Sequence, residues 1–190
     1  MGVFCGNLVA GVISGFVASV VFLLFMLIIR PKIVLSDSIT VDKNGIYKIK
    51  IVNKSFCRLS ELKYDLRLCD DHGDGIVDIE TIQPLKPRLD SIPKYSKKDK
   101  NSMYAIRISY KSKDNNCIIN NNNSYLEFVV SAKHTLSNTY SVVSKNYRCN
   151  DIKFGIFETG KNINVLKDTS QRCDSPSSIL CCCTTDSHSN

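Results

Sequence analysis

The stretch Leu8-Val-Ala-Gly-Val-Ile-Ser-Gly-Phe-Val-Ala-Ser-Val-Val-Phe-Leu-Leu-Phe-Met-Leu-Ile-Ile29, closed at once by Arg30-Pro31-Lys32, decides the architecture. It holds no charged residue over 22 positions. As a helix it would reach roughly 33 Å, against a bilayer hydrocarbon core of about 30 Å. A secretory signal peptide also begins a chain, but it carries a basic leader and an apolar stretch of only about 7 to 15 residues. Met1 to Asn7 contains no Lys or Arg, and no small-x-small cleavage pattern follows the apolar run before Arg30. The reading is a short leader over residues 1–7 and a retained transmembrane helix over residues 8–29.

Charge beside the helix sets its expected direction, because Lys and Arg in short flanks stay cytoplasmic. The upstream flank has only the amino terminus, whereas Arg30 and Lys32 follow directly and Lys43, Lys48 and Lys50 come soon after. The expectation is a single-pass protein with its C-terminal domain in the cytosol, Arg30 and Lys32 lying at the lipid headgroups. Within the helix, Gly11, Gly15 and Ser19 form a stripe of small residues four apart, and Ala10, Ser14 and Ala18 form its neighbour. Small residues at this spacing let two helices approach closely in lipid. The same residues are common in membrane spans generally, so the stripe is a candidate packing face for a partner helix or a second copy.

Beyond Pro31 the pattern changes from continuous apolar to strict alternation, the period of a half-buried strand. Tyr47, Ile49 and Ile51 alternate with Lys48 and Lys50, giving one apolar and one cationic face. Leu62, Tyr64, Leu66 and Leu68 alternate with Lys63, Asp65 and Arg67, and Ile76 to Ile82 reads as a return strand after an Asp/Gly-rich turn. Further strands are expected at Val34 to Val41, Met103 to Tyr110, Tyr125 to Lys133, Thr139 to Tyr147 and Ile152 to Glu158. Pro84, Pro87 and Pro93 keep the intervening stretch irregular. Short strands separated by turns, with no long amphipathic helix among them, define an all-β domain over residues 30–166. An antiparallel β-sandwich of about 7 to 9 strands is the first reading. A small barrel is the alternative.

Two segments are read as irregular from composition. Lys111 to Ser124 contains the run Asn120 to Asn123, and residues 167–190 form a Ser/Cys-rich flexible tail poor in apolar residues. The net charge of +7 is spread along the chain with a denser patch at Lys94 to Lys100. Such a patch could meet anionic lipid, although a solvated lysine-rich loop is the simpler reading. No aromatic-interleaved basic stripe accompanies it, so nucleic acid is not an expected partner. The nine cysteines are odd in number and lack CxxC spacing, and Cys181 to Cys183 are consecutive. That usage suits reduced thiols better than a disulfide framework or a structural zinc site.

Candidate chemistry is sparse. Asp70, Asp74 and Asp78, with Gly75 and Val77, match part of an EF-hand calcium loop, but the third ligand position is His72 and the twelfth is Thr81 where a bidentate Glu is needed. The expectation is a turn without a metal. His72, His134 and His188 accompany no nucleophile elbow, metalloprotease signature or phosphate-cradling glycine loop, and His134 is read as a strand cap. No catalytic residue and no cofactor is expected.

The segments Arg30-Pro31-Lys32-Ile33, Tyr47-Lys48-Ile49-Lys50-Ile51-Val52-Asn53-Lys54-Ser55 and Asp151-Ile152-Lys153-Phe154-Gly155-Ile156-Phe157 carry a resemblance. The layout is similar to uncharacterised bacterial single-pass membrane proteins with an immunoglobulin-like β-sandwich domain. The resemblance implies a fold rather than an activity. The functional expectation is a non-enzymatic, membrane-anchored module that docks a protein partner at the bilayer surface. The alternative is a sensor or effector whose β-domain binds a small ligand and acts through helix association.

Overall fold

The computed structural model describes residues 2–71, 77–85, 89–111, 118–119 and 123–166, with side chains from residue 9 onward. Among the described residues one α-helix, α1 (Gly2–Ile28), is followed by twelve strands and a short 3-10 helix at Cys149–Asp151. The strands are β1 (Ile33–Leu35), β2 (Ile39–Val41), β3 (Ile46–Asn53), β4 (Leu59–Asp71), β5 (Val77–Ile82), β6 (Ser91–Ile92), β7 (Ala105–Lys111), β8 (Ser124–His134), β9 (Tyr140–Tyr147), β10 (Ile152–Phe154), β11 (Ile156–Phe157) and β12 (Val165–Leu166). The 20 residues Val9–Ile28 are apolar enough to cross a membrane, and none of that span is buried by the rest of the chain.

One five-stranded sheet is built around β3. Ile46 to Val52 of it pair antiparallel with β7, while its other edge is shared by β1 at the Asn53 end and β2 at the Tyr47 end. The expected strand Val34 to Val41 is therefore two strands. The chain turns at residues 36–38, where Ser36 is buried and its Oγ accepts from the Lys50 amide. β10 joins the outside of β2 in parallel, so this sheet is not wholly antiparallel.

The second five-stranded sheet runs β5-β4-β8-β9, with β6 beside the start of β4. Alternation builds it: β8 buries Leu126, Phe128, Val130 and Ala132 and turns Tyr125, Glu127, Val129 and Ser131 outward. The inner faces of the two sheets share one core, in which Ile49, Ile51, Ile108 and Tyr110 meet Leu66, Leu126, Phe128 and Val130. Tyr110 and Phe128 pack edge to face across it, ring centroids 6.4 Å apart. Each fully buried aliphatic or Phe side chain contributes about 1.5–3 kcal/mol, so this shared core is the main stabilising element.

Two further expectations are corrected, and a third segment gains a feature that its loop reading lacks. Lys50 does not stand on a cationic outer face: it is 1% exposed, because the β11–β12 hairpin covers that side of β3. Its ammonium donates to the carbonyls of Glu158 at 2.5 Å and Asn162 at 2.6 Å. The expected strand Ile152 to Glu158 breaks at Gly155, whose φ of 142° and 2.3 Å approach of a Cβ position to the Leu166 carbonyl exclude any other residue without movement. Within the expected loop Lys111 to Ser124, Ile118 and Ile119 are buried in the core, and the Ile118 amide donates to Tyr47 Oη. Residues 167–190, including Cys181 to Cys183 and His188, lie outside the described residues.

Candidate functional site

β4 is 13 residues long, and its second half carries β5 on one edge and β8 on the other. β5 itself pairs only with β4, and among the described residues no strand lies along its other edge. Residues 77–81 are exposed on both faces, with Ile79 at 60%. On the outer face, cross-strand registers set Ile79 beside Cys69 and Cys69 beside Tyr125, and Thr81 beside Arg67 and Glu127. The edge of a sheet is where an extended segment can add as a further strand through backbone hydrogen bonds.

The aspartates read as EF-hand positions divide between strand and undescribed turn. Asp70 and Asp78 are directly opposite residues of the β4–β5 ladder, and Asp74 lies outside the described residues together with His72. The sequence places the turn from Cys69 onward, whereas β4 continues to Asp71. Among the described residues no cluster of three His, Cys, Asp or Glu side chains could hold a metal ion.

A polar cluster missed at the sequence level lies on the outer face where β4, β8 and β9 begin or end. Glu61 sits at the register shift between Ser60 and Lys63 with φ 50°, a β-bulge that aims its carboxylate across the sheet. Lys133 Nζ donates to one oxygen at 2.9 Å, and Tyr140 Oη donates to the other. Lys133 also stands 5.6 Å from the centre of the Tyr140 ring. The Tyr140 hydrogen bond, followed by that of Lys133, holds the Glu61 carboxyl below its usual range, and the same bond pushes the Tyr140 phenol up. A phenol held protonated beside a stable carboxylate is a staple between strands, not an activated nucleophile. No signal in the sequence marks the bulge.

His134 ends β8 as the strand-cap reading expects, and the ring itself is buried. Its Nδ1 accepts from the Ser137 amide at 3.2 Å and lies 3.0 Å from Ser137 Oγ, while burial pushes its pKa down. The neutral ring orders the turn to β9. Burial likewise pushes the Cys69 thiol up, which makes it a poor nucleophile. Cys57 and Cys69 are free thiols, but Cys149 is disulfide-bonded, so the expectation of reduced cysteines fails for this residue.

Along α1, Ala10, Gly11, Ser14, Gly15, Ala18 and Ser19 are exposed, and a Cβ on Gly11 or Gly15 would meet nothing within 4 Å. Ser19 Oγ bonds back to the Gly15 carbonyl at 2.9 Å, which satisfies the hydroxyl inside the helix and leaves the stripe smooth. Arg30 and Lys32 are exposed on either side of the buried Pro31. No family model and no curated protein matches the chain.

Proposed function

We propose that the chain is a non-enzymatic, membrane-anchored docking module, with an immunoglobulin-like sandwich as its folded part and β5 as its docking edge. The reading rests on one observation above all: among the described residues β5 pairs with β4 alone, and its residues 77–81 are exposed. An extended segment of a partner protein adds to β5 as a further strand. Backbone hydrogen bonds supply the affinity, and Ile79 and Thr81 select the side chains that face them. The helix holds the module at the bilayer and raises the local concentration of any partner in the same membrane.

Two observations bear on orientation, and they point in opposite directions. Arg30 and Lys32 favour a cytosolic domain. The Cys149 disulfide favours the rival placement in an oxidising compartment. We adopt the cytosolic placement, because the cations at the helix exit are joined by others on the same end of the domain. Labelling intact cells with a membrane-impermeant thiol reagent checks it: Cys57 remains unlabelled until the membrane is opened, and labelling without opening contradicts the placement.

The docking edge is tested by placing lysines on it. Ile79→Lys with Thr81→Lys keeps the fold, since both side chains are exposed, but blocks edge pairing. A protein that co-purifies from solubilised membranes with the wild-type chain is lost from the double variant. Retention of the same partner contradicts the reading.

A further inference from the structure

The end of the β-domain that faces the helix combines exposed apolar side chains with exposed cations. Only Ile29 to Lys32 separate α1 from β1, a reach of roughly 14 Å when fully extended. β1 begins at Ile33, whose register partner is Asn53, so the loop after β3 returns to the end of α1. The chain is fastened there, since the Lys54 amide donates to the Lys32 carbonyl and the Lys32 amide to Ser55 Oγ. Asn53 Nδ2 donates to the Pro93 carbonyl, and its amide donates to the Tyr104 carbonyl. These bonds draw both ends of the 93–104 segment to the same place. The β8–β9 turn joins them through the Thr135 amide and hydroxyl, which both donate to the Arg58 carbonyl.

Each of these three segments exposes one large apolar side chain. Phe56 is 78% exposed, Met103 60% and Leu136 67%. Around them Lys54, Arg58, Lys94, Lys97, Lys98 and Lys100 are exposed and enter no ion pair among the described residues. Asp99, the acidic residue within the lysine run, is occupied locally. Its two oxygens accept from the Asn101 and Met103 amides, which shapes the turn that projects Met103.

We infer that this end of the domain is a lipid-binding surface, seated on the leaflet that α1 leaves, with Phe56, Met103 and Leu136 entering the interface and the lysine segment on anionic headgroups. Apolar tips surrounded by cations are the chemistry of interfacial binding, in which burial at the acyl boundary and attraction to anionic lipid add together. The bilayer is the occupant because the helix exit fixes it next to these residues, and no additional component is required. Seating the domain in this way also holds β5 at a set height, since β5 pairs with the part of β4 remote from Leu59.

The chain contains no Trp, so a single introduced Trp is a clean reporter. Full-length Phe56→Trp, Leu136→Trp and Ile79→Trp are each reconstituted in phosphatidylcholine vesicles, with and without phosphatidylglycerol and with acyl-brominated lipid as quencher. Trp at 56 and 136 is expected to emit to the blue of Trp at 79 and to be quenched by the brominated lipid. The quenching should be stronger when phosphatidylglycerol is present and weaker when Lys94, Lys97, Lys98 and Lys100 are changed to Gln. Emission at 56 and 136 as red and as unquenched as at 79 overturns the inference. Quenching that ignores both phosphatidylglycerol and the Gln changes overturns the headgroup contact.

Discussion

The backbone amide of Lys54 donates to the carbonyl of Lys32 at 2.8 Å, which ties the loop after β3 to the first residues beyond α1. Buried Ser55 completes the tie by accepting from the Lys32 amide at 2.7 Å. Ser55→Ala removes that acceptor and is expected to cost about 1 kcal/mol. For a chain of this size such a loss lowers the melting temperature by roughly 2–4 °C, measurable in detergent. An unchanged melting temperature would show that the tie contributes nothing.

Lys50 makes stability depend on pH with a defined sign. Burial, with the nearby Arg107 charge adding to it, pushes its pKa down to about 8 from 10.5, so between these values the unfolded chain binds more protons than the folded one. Stability contributed by this group therefore rises as pH increases from about 8 to 10.5, by at most about 3 kcal/mol. Lys50→Met lacks this slope. Melting both proteins across that range isolates the effect, and parallel curves would contradict it.

Two buried tyrosines should respond oppositely to loss of the hydroxyl. Tyr147 Oη donates to the Ser36 carbonyl at 2.8 Å, whereas Tyr110 Oη is buried with no hydrogen-bond partner among the described residues. Tyr147→Phe is expected to destabilise by about 1–2 kcal/mol, and Tyr110→Phe to be neutral or stabilising by up to about 1 kcal/mol. Urea unfolding of the two variants checks the order, and a larger loss at Tyr110 would overturn this account of the core.

The small-residue stripe of α1 is tested in the membrane. Gly11→Leu with Gly15→Leu fills the space that is open beside both glycines and keeps the helix apolar. Helix association measured by a membrane two-hybrid reporter is expected to fall. An unchanged signal would show that the stripe is not a packing face.

Alternation made the long strands legible. The residues of β4 and β8 that alternate in sequence alternate in burial, because each strand has one face on the core. Lys50 misled the same logic. Its side chain is covered by the β11–β12 hairpin more than 100 residues later, and no local pattern records what a distant segment will cover. The two-residue strands β6 and β12 were illegible for want of a repeat. Ile118 and Ile119 are an apolar pair among asparagines, and that contrast was the available clue to a loop that enters the core. β5 was legible as a strand but not as an edge, since edge status is set by which strand pairs with β4, and pairing is not written in the sequence of β5.

The docking claim is tested most directly by a photo-crosslinking residue placed at Ile79 in the full-length chain in its native membrane, with Asn44 on the exposed β2–β3 turn as the comparison site. A discrete adduct forming from position 79 and not from position 44, and disappearing when Thr81→Lys blocks the edge, is the predicted result. No adduct at 79, or equal adducts at both positions, would contradict it.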